Sequence, residues 1–88
     1  MAPVKVALSV PLDLLRRTHV RVRSRARLES LRQFYAAGGN PPPIPLTVAK
    51  DGTVQLNGDG NHRLAAARAA GVPSVWVRID RRNAHRLR

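Results

Sequence analysis

The sequence predicts a small α+β domain, a mixed sheet with two packed helices. Two kinds of observation predict it. Stretches near both ends and in the middle alternate apolar and polar residues with period two, the mark of a strand buried on one face. Between them lie one segment with apolar residues at helical spacing and one alanine-rich run. The resulting order of strand, helix, hairpin, helix, strand suits a sheet with helices laid on it.

Val4, Val6, Leu8 and Val10 alternate with Lys5, Ala7 and Ser9 as the first strand, which Pro11 ends. Asp13 opens a short turn or helical piece through Leu14 and Leu15. Val20 and Val22 alternate with His19, Arg21 and Arg23, which predicts a short extended piece. Ser24 is a fitting N-cap for RARLESLRQFYAAGG, in which Leu28, Leu31 and Tyr35 fall at helical spacing with Phe34 beside them. Gly38 and Gly39 stop that helix, and the prolines at 41, 42 and 43 forbid its resumption. A hairpin follows. Leu46 and Val48 share a face, Asp51-Gly52 makes the turn, and Val54 and Leu56 return. A second helix runs to Gly71; Pro73 follows, and Val75, Val77 and Ile79 alternate with Trp76 and Arg78 in the last strand. Trp76 falls on the outer face of that strand and is expected beneath a helix rather than exposed for recognition. The domain takes residues 1–80. Residues 81–88, RRNAHRLR, form a basic tail expected to be loosely ordered.

The 88 residues allow one domain of modest core, burying roughly 60–65% of the surface of the unfolded chain. With no cysteine, disulfides and thiolate zinc sites are excluded. The opening MAPVKVALSV is too short for a signal peptide, and no apolar run approaches the ~20 residues of a membrane span. A cytoplasmic location without membrane contact is expected. Sixteen Lys and Arg against five Asp and Glu leave a net charge of +11, which favours polyanionic partners: nucleic acid, nucleotides or an acidic protein. Coding bias is the competing explanation, because fourteen of the sixteen cations are arginine. Phe34, Tyr35 and Trp76 are the only aromatic residues. A stacking platform for single strands needs several exposed rings, so binding of that kind is not expected.

The stretch NGDGNHRLAAARAAG, residues 57–71, carries the candidate chemistry. Gly58 and Gly60 free the backbone, and Asp59 or Asn61 serves as a cap for the helix behind them. The first turn of a helix presents free N–H groups and the positive end of the dipole, so a glycine loop opening onto it is a ready anion site. Arg63 adds a planar fork for two phosphate oxygens, and His62 donates or accepts beside it. The alternative is a plain turn with Arg63 in solvent. Cationic side chains at a helix start oppose the dipole, which argues for the anion site. On this reading Gly58, Asp59, Gly60, Asn61, His62 and Arg63 bind phosphate or nucleotide, with Asp59 a candidate Mg²⁺ ligand.

From Pro45, Leu46, Thr47 and Val48, through Gly60, Asn61, His62 and Arg63, to Ala66, Ala67 and Gly71, the chain resembles the core of the ParB/sulfiredoxin-like superfamily. The likeness covers residues 44–79 well and residues 4–38 in element order only. It implies a ParB/sulfiredoxin-like fold and a site for nucleotide phosphates, with CTP or ATP as the implied cofactor. Asn61 stands where sulfiredoxins carry a catalytic cysteine, so their reductase chemistry is not implied. Partition proteins have a more arginine-rich box and further DNA-reading and dimerisation domains, for which 88 residues leave no room. The GDGNHR form looks more like single-domain ParB-like proteins of phages, plasmids and bacterial genomes.

The functional expectation is a nucleotide- or phosphate-binding module with a basic surface that contacts DNA. Arg16, Arg17, Arg21, Arg23, Arg25, Arg81 and Arg82 are the candidate nucleic-acid contacts, with Arg27, Arg86 and Arg88 extending the same runs. Such contact is sequence-blind and salt-sensitive. A nucleotide-dependent phosphotransferase or hydrolase is an alternative, with Asp59 or Glu29 as candidate catalytic carboxylates. Glu29 also fits a surface ion-pair ladder with Arg25 and Arg32. A third reading is a phage- or plasmid-encoded protein gripping an acidic host protein. His19, His62 and His85 share no metal-ligand spacing.

Overall fold

The computed structural model describes residues 4–87. The elements are β1 Lys5–Pro11, a 3-10 turn Leu12–Leu15, α1 Arg25–Ala36, β2 Ile44–Val48, β3 Val54–Leu56, α2 Gly60–Ala70, β4 Ser74–Asp80 and a second 3-10 stretch Arg81–Arg86. The four strands make one mixed sheet in the order β1-β4-β2-β3. β4 is antiparallel to β1, from Lys5 opposite Asp80 to Pro11 opposite Ser74, and parallel to β2, with Ile44 opposite Val77. The last strand is therefore central. Parallel neighbours need a long crossover, and β3 with α2 supplies it. β2 and β3 form the expected hairpin, Val48 opposite Val54. Asp51 serves its turn by accepting the Thr53 N–H at 2.9 Å.

The period-two pattern sets one face of the sheet inward. Val10, Ile44, Leu46, Val48, Val75, Val77 and Ile79 join Leu15, Leu31, Tyr35, Leu64, Ala66 and Ala67 in one core. Each large aliphatic side chain fully buried there stabilises the fold by roughly 1.5–3 kcal/mol. α2 lies against β2, and α1 packs on α2. The alanines allow the first of these contacts: Ala66 and Ala67 are wholly buried. So does Gly60, where a Cβ would stand 3.2 Å from Ile44 Cγ2 and 3.4 Å from the Pro45 carbonyl. Ser24 caps α1 as expected, its Oγ accepting the Arg27 N–H at 3.1 Å. Gly71, with φ of 71°, closes α2 in the left-handed conformation that favours glycine. Arg68 on α2 donates to the carbonyls of Leu15 and Thr18, and so fastens the 3-10 turn that precedes α1.

The segment of the expected extended piece, residues 19–23, joins no sheet, because α2 side chains take the backbone N–H groups of Arg21, Arg23 and Ser24 that a ladder would need. Two expectations are corrected. The tail is not loose through residue 87. It turns as a 3-10 stretch, Leu87 is buried in the core and Arg86 reaches the Val48 carbonyl at 3.4 Å; Arg88 lies outside the described residues. Trp76 is not covered by a helix but is 43% exposed. Ser74, Trp76, Arg78, Thr47 and Gln55 all face solvent, since the helices occupy only the opposite face. Among the described residues no helix is long and apolar enough to cross a membrane.

Candidate functional site

β3 ends at Leu56, and the chain turns through Gly58, whose φ of 54° suits glycine. α2 then begins beside the segment leading into α1. Asn61 Oδ1 accepts the Arg21 N–H at 3.0 Å, while its amide nitrogen donates to the Gly58 carbonyl at 3.1 Å. His62 Nε2 accepts the N–H groups of Arg23 and Ser24, each at 3.1 Å. An imidazole that accepts through Nε2 carries its hydrogen on Nδ1. That nitrogen stands 3.3 Å from Asp59 Oδ1, outside hydrogen-bond geometry. The first turn of α2 thus grips segment 21–24 by its backbone and leaves the arginine side chains free.

Asp59 occupies the N-cap position but makes no side-chain capping bond, and Asn61 makes none either. The Asp59 carboxylate instead takes Arg27, with Nη2 at 2.6 Å and Nε at 3.2 Å. Arg63 Nε lies 3.5 Å away. The hydrogen bond from Arg27 holds the Asp59 carboxyl below the usual carboxylate range, against the opposing effect of partial burial. Arg63 Nη1 donates to the carbonyls of Pro42 at 3.1 Å and Pro43 at 2.8 Å. Its position near the helix start is compensated by Asp59 and by these carbonyls.

A cleft of about 340 Å³ lies at this junction, lined by Arg21, Arg23, Gly58, Asp59, Asn61 and His62. Gly60 and Arg63 do not line it. Gly60 is pressed on β2, and Arg63 is turned to the proline carbonyls. Among the described residues Arg21 and Arg23 have no acidic partner. The N–H groups of Gly60, Asn61 and Arg63 bond to the carbonyls of Asn57, Gly58 and Asp59, whereas those of Asp59 and His62 have no partner among the described residues. Two free guanidinium groups and two open amides at the positive end of a helix suit an anion.

The other candidates lie apart from this cleft. Glu29 is bound by Arg32 and by Gln33 at 3.2 Å, and the Arg32 bond pulls its carboxyl down from the usual 4.5 to about 2; Arg25 is not among its partners. Arg16 is held by Asp13 and Arg82 by Asp80, while Arg17, Arg25 and Arg81 are exposed without an acidic partner among the described residues. Arg16 and Arg17 join His19 at a separate cleft of about 550 Å³ beside the hairpin turn. No group of three His, Asp or Glu that could hold a metal occurs among the described residues. Asp59, already bound by Arg27, does not fit a resident Mg²⁺, which takes several oxygen ligands. Sequence reasoning missed the part of Arg27 as partner to Asp59, 32 residues apart, because nothing local links them. No protein-family model, curated protein or solved structure matches the chain.

Proposed function

We propose that this domain binds phosphate-bearing ligands, nucleoside triphosphates such as CTP or ATP foremost, as a ParB/sulfiredoxin-like module that also contacts DNA through its arginine-rich surface. The observation that carries the reading is the placement of Arg21 and Arg23. Both line a cleft at the start of α2, both lack acidic partners among the described residues, and their backbone is fixed there by Asn61 and His62. Asn61 and His62 position the cations; the guanidinium groups and the open amides meet the phosphates. Arg63 holds the proline loop beneath them. Asp59, the one carboxylate lining the cleft among the described residues, is a weak base because Arg27 stabilises its ionised form. This favours binding over turnover.

Calorimetry with ATP, CTP, GTP and inorganic tripolyphosphate tests the reading. Binding that falls at least tenfold in the Arg21→Ala/Arg23→Ala variant is the expected result. Absence of heat with all four ligands sinks it. Duplex DNA should be retained in a gel shift at low salt and released at high salt.

A further inference from the structure

Phe34 and Tyr35, adjacent near the end of α1, and Trp76, far along the chain, border one loop. Gly39 is held so close to Phe34 that a Cβ there would stand 2.5 Å from the ring. Tyr35, one residue on, lines a cleft of about 340 Å³ with residues 38–41, the first residues of β4 and Trp76. Phe34 is 50% exposed and Trp76 is 43% exposed. The tyrosine ring is buried in the core, yet the residue forms part of the cleft wall. Period two along β4 explains why Trp76 looks outward: Val75 and Val77 fill the core on either side of it. Nothing in a plain sheet requires the largest apolar side chain to sit on its wet face, opposite a residue as small as Ser9.

The charge around Trp76 points to the occupant. Arg78 follows on the same face of β4, exposed and without an acidic partner among the described residues. The net charge of +11 makes a polyanion the natural partner. A flat, half-exposed indole beside a cation suits an unpaired base followed by its phosphate. A run of acidic residues alone would use the cation but not the ring.

We infer that the cleft between loop 38–41 and Trp76 is a base-stacking site for single-stranded nucleic acid, with Arg78 taking the adjoining phosphate. It is separate from the cleft at Arg21 and Arg23 and does not rest on the nucleotide reading of that cleft. The sequence argued against stacking because only three rings are present; the fold leaves one of them, Trp76, half-exposed at a cleft on the face that carries Arg78.

Trp76 is the only tryptophan, so its emission reports on this site alone. A twelve-residue oligothymidylate is expected to quench it to saturation, at concentrations that rise with salt. An abasic strand of equal length should bind without that quenching. With a labelled strand followed by anisotropy, Trp76→Leu and Arg78→Ala should each weaken binding about tenfold or more. The Arg21→Ala/Arg23→Ala variant should keep the quenching, whatever becomes of its nucleotide affinity. Unchanged emission on strand binding overturns the inference. So does equal quenching by the abasic strand or by polyglutamate. A blue shift that follows protein concentration alone assigns the face to a second copy of the chain, and equally overturns it.

Discussion

His62 Nε2 stands 3.1 Å from the backbone nitrogen of Arg23 and at the same distance from that of Ser24. One side chain at the start of α2 thereby replaces the neighbouring strand that residues 21–24 do not have. It also ends that segment where the Ser24 cap begins α1, so both helices share one anchor. In His62→Ala we expect a loss of about 1 kcal/mol of stability, the net value of hydrogen bonds of this kind. Urea unfolding measures it. Hydrogen exchange at Arg23 and Ser24 should accelerate well before global unfolding. Unchanged protection of these two amides would show that the anchor is unimportant.

Arg63 and the pair Arg21 and Arg23 should separate stability from binding. Arg63→Ala removes two bonds to carbonyls of the proline loop, and a charged donor of this kind is worth roughly 2 kcal/mol. Arg21→Ala and Arg23→Ala remove exposed side chains and should shift stability by less than about 0.5 kcal/mol, while lowering nucleotide affinity. Equal loss of stability in all three variants would contradict this division.

Acid should weaken the fold through Asp59 and Glu29. Both carboxyls titrate lower in the folded chain than in the unfolded one, Asp59 through Arg27 and Glu29, at about 2 against the usual 4.5, through Arg32. A depressed carboxyl contributes stability that is complete above its unfolded pKa and is lost as pH falls through the folded value. Stability measured in urea should therefore decline from about pH 4.5 downward. The decline should be shallower in Asp59→Asn, which begins less stable at neutral pH. A pH profile of Asp59→Asn parallel to the parent would refute the role given to Arg27.

The end of the chain is part of the core. Leu87→Ala should cost about 2 kcal/mol, the lower end for a buried leucine, because Leu87 is 7% exposed within the core cluster. A chemical-denaturation midpoint equal to that of the parent would return residues 81–88 to the status of a loose tail.

Gly60→Ala tests the seat of α2. An alanine there improves helix propensity by up to about 1 kcal/mol, but its Cβ meets Ile44 at 3.2 Å and the Pro45 carbonyl at 3.4 Å. The Ile44 methyl is the tight contact and, fully buried, has little room to give, so we expect a net loss of about 1 kcal/mol from overpacking. A rise in melting temperature would show that β2 gives way.

What the sequence determined by itself was local. Period two in residues 44–48 and 75–79, the Ser24 cap, the Asp51-Gly52 turn and the stop at Gly71 each depend on neighbours a few residues away, and each is found where the pattern places it. The cationic start of α2 was also legible as a place where charge must be compensated. Which partners compensate it was not. Asp59 finds Arg27, Arg63 finds Pro42 and Pro43, and Asn61 and His62 find the backbone of residues 21–24, all across 20 to 40 positions of chain. Only tertiary structure decided these pairings, and with them which arginines line the cleft. It likewise put β4 in the middle of the sheet and both helices on one side, which left Trp76 in the open. Alternation fixes that the two faces of a strand differ; what covers each face depends on how the whole chain packs.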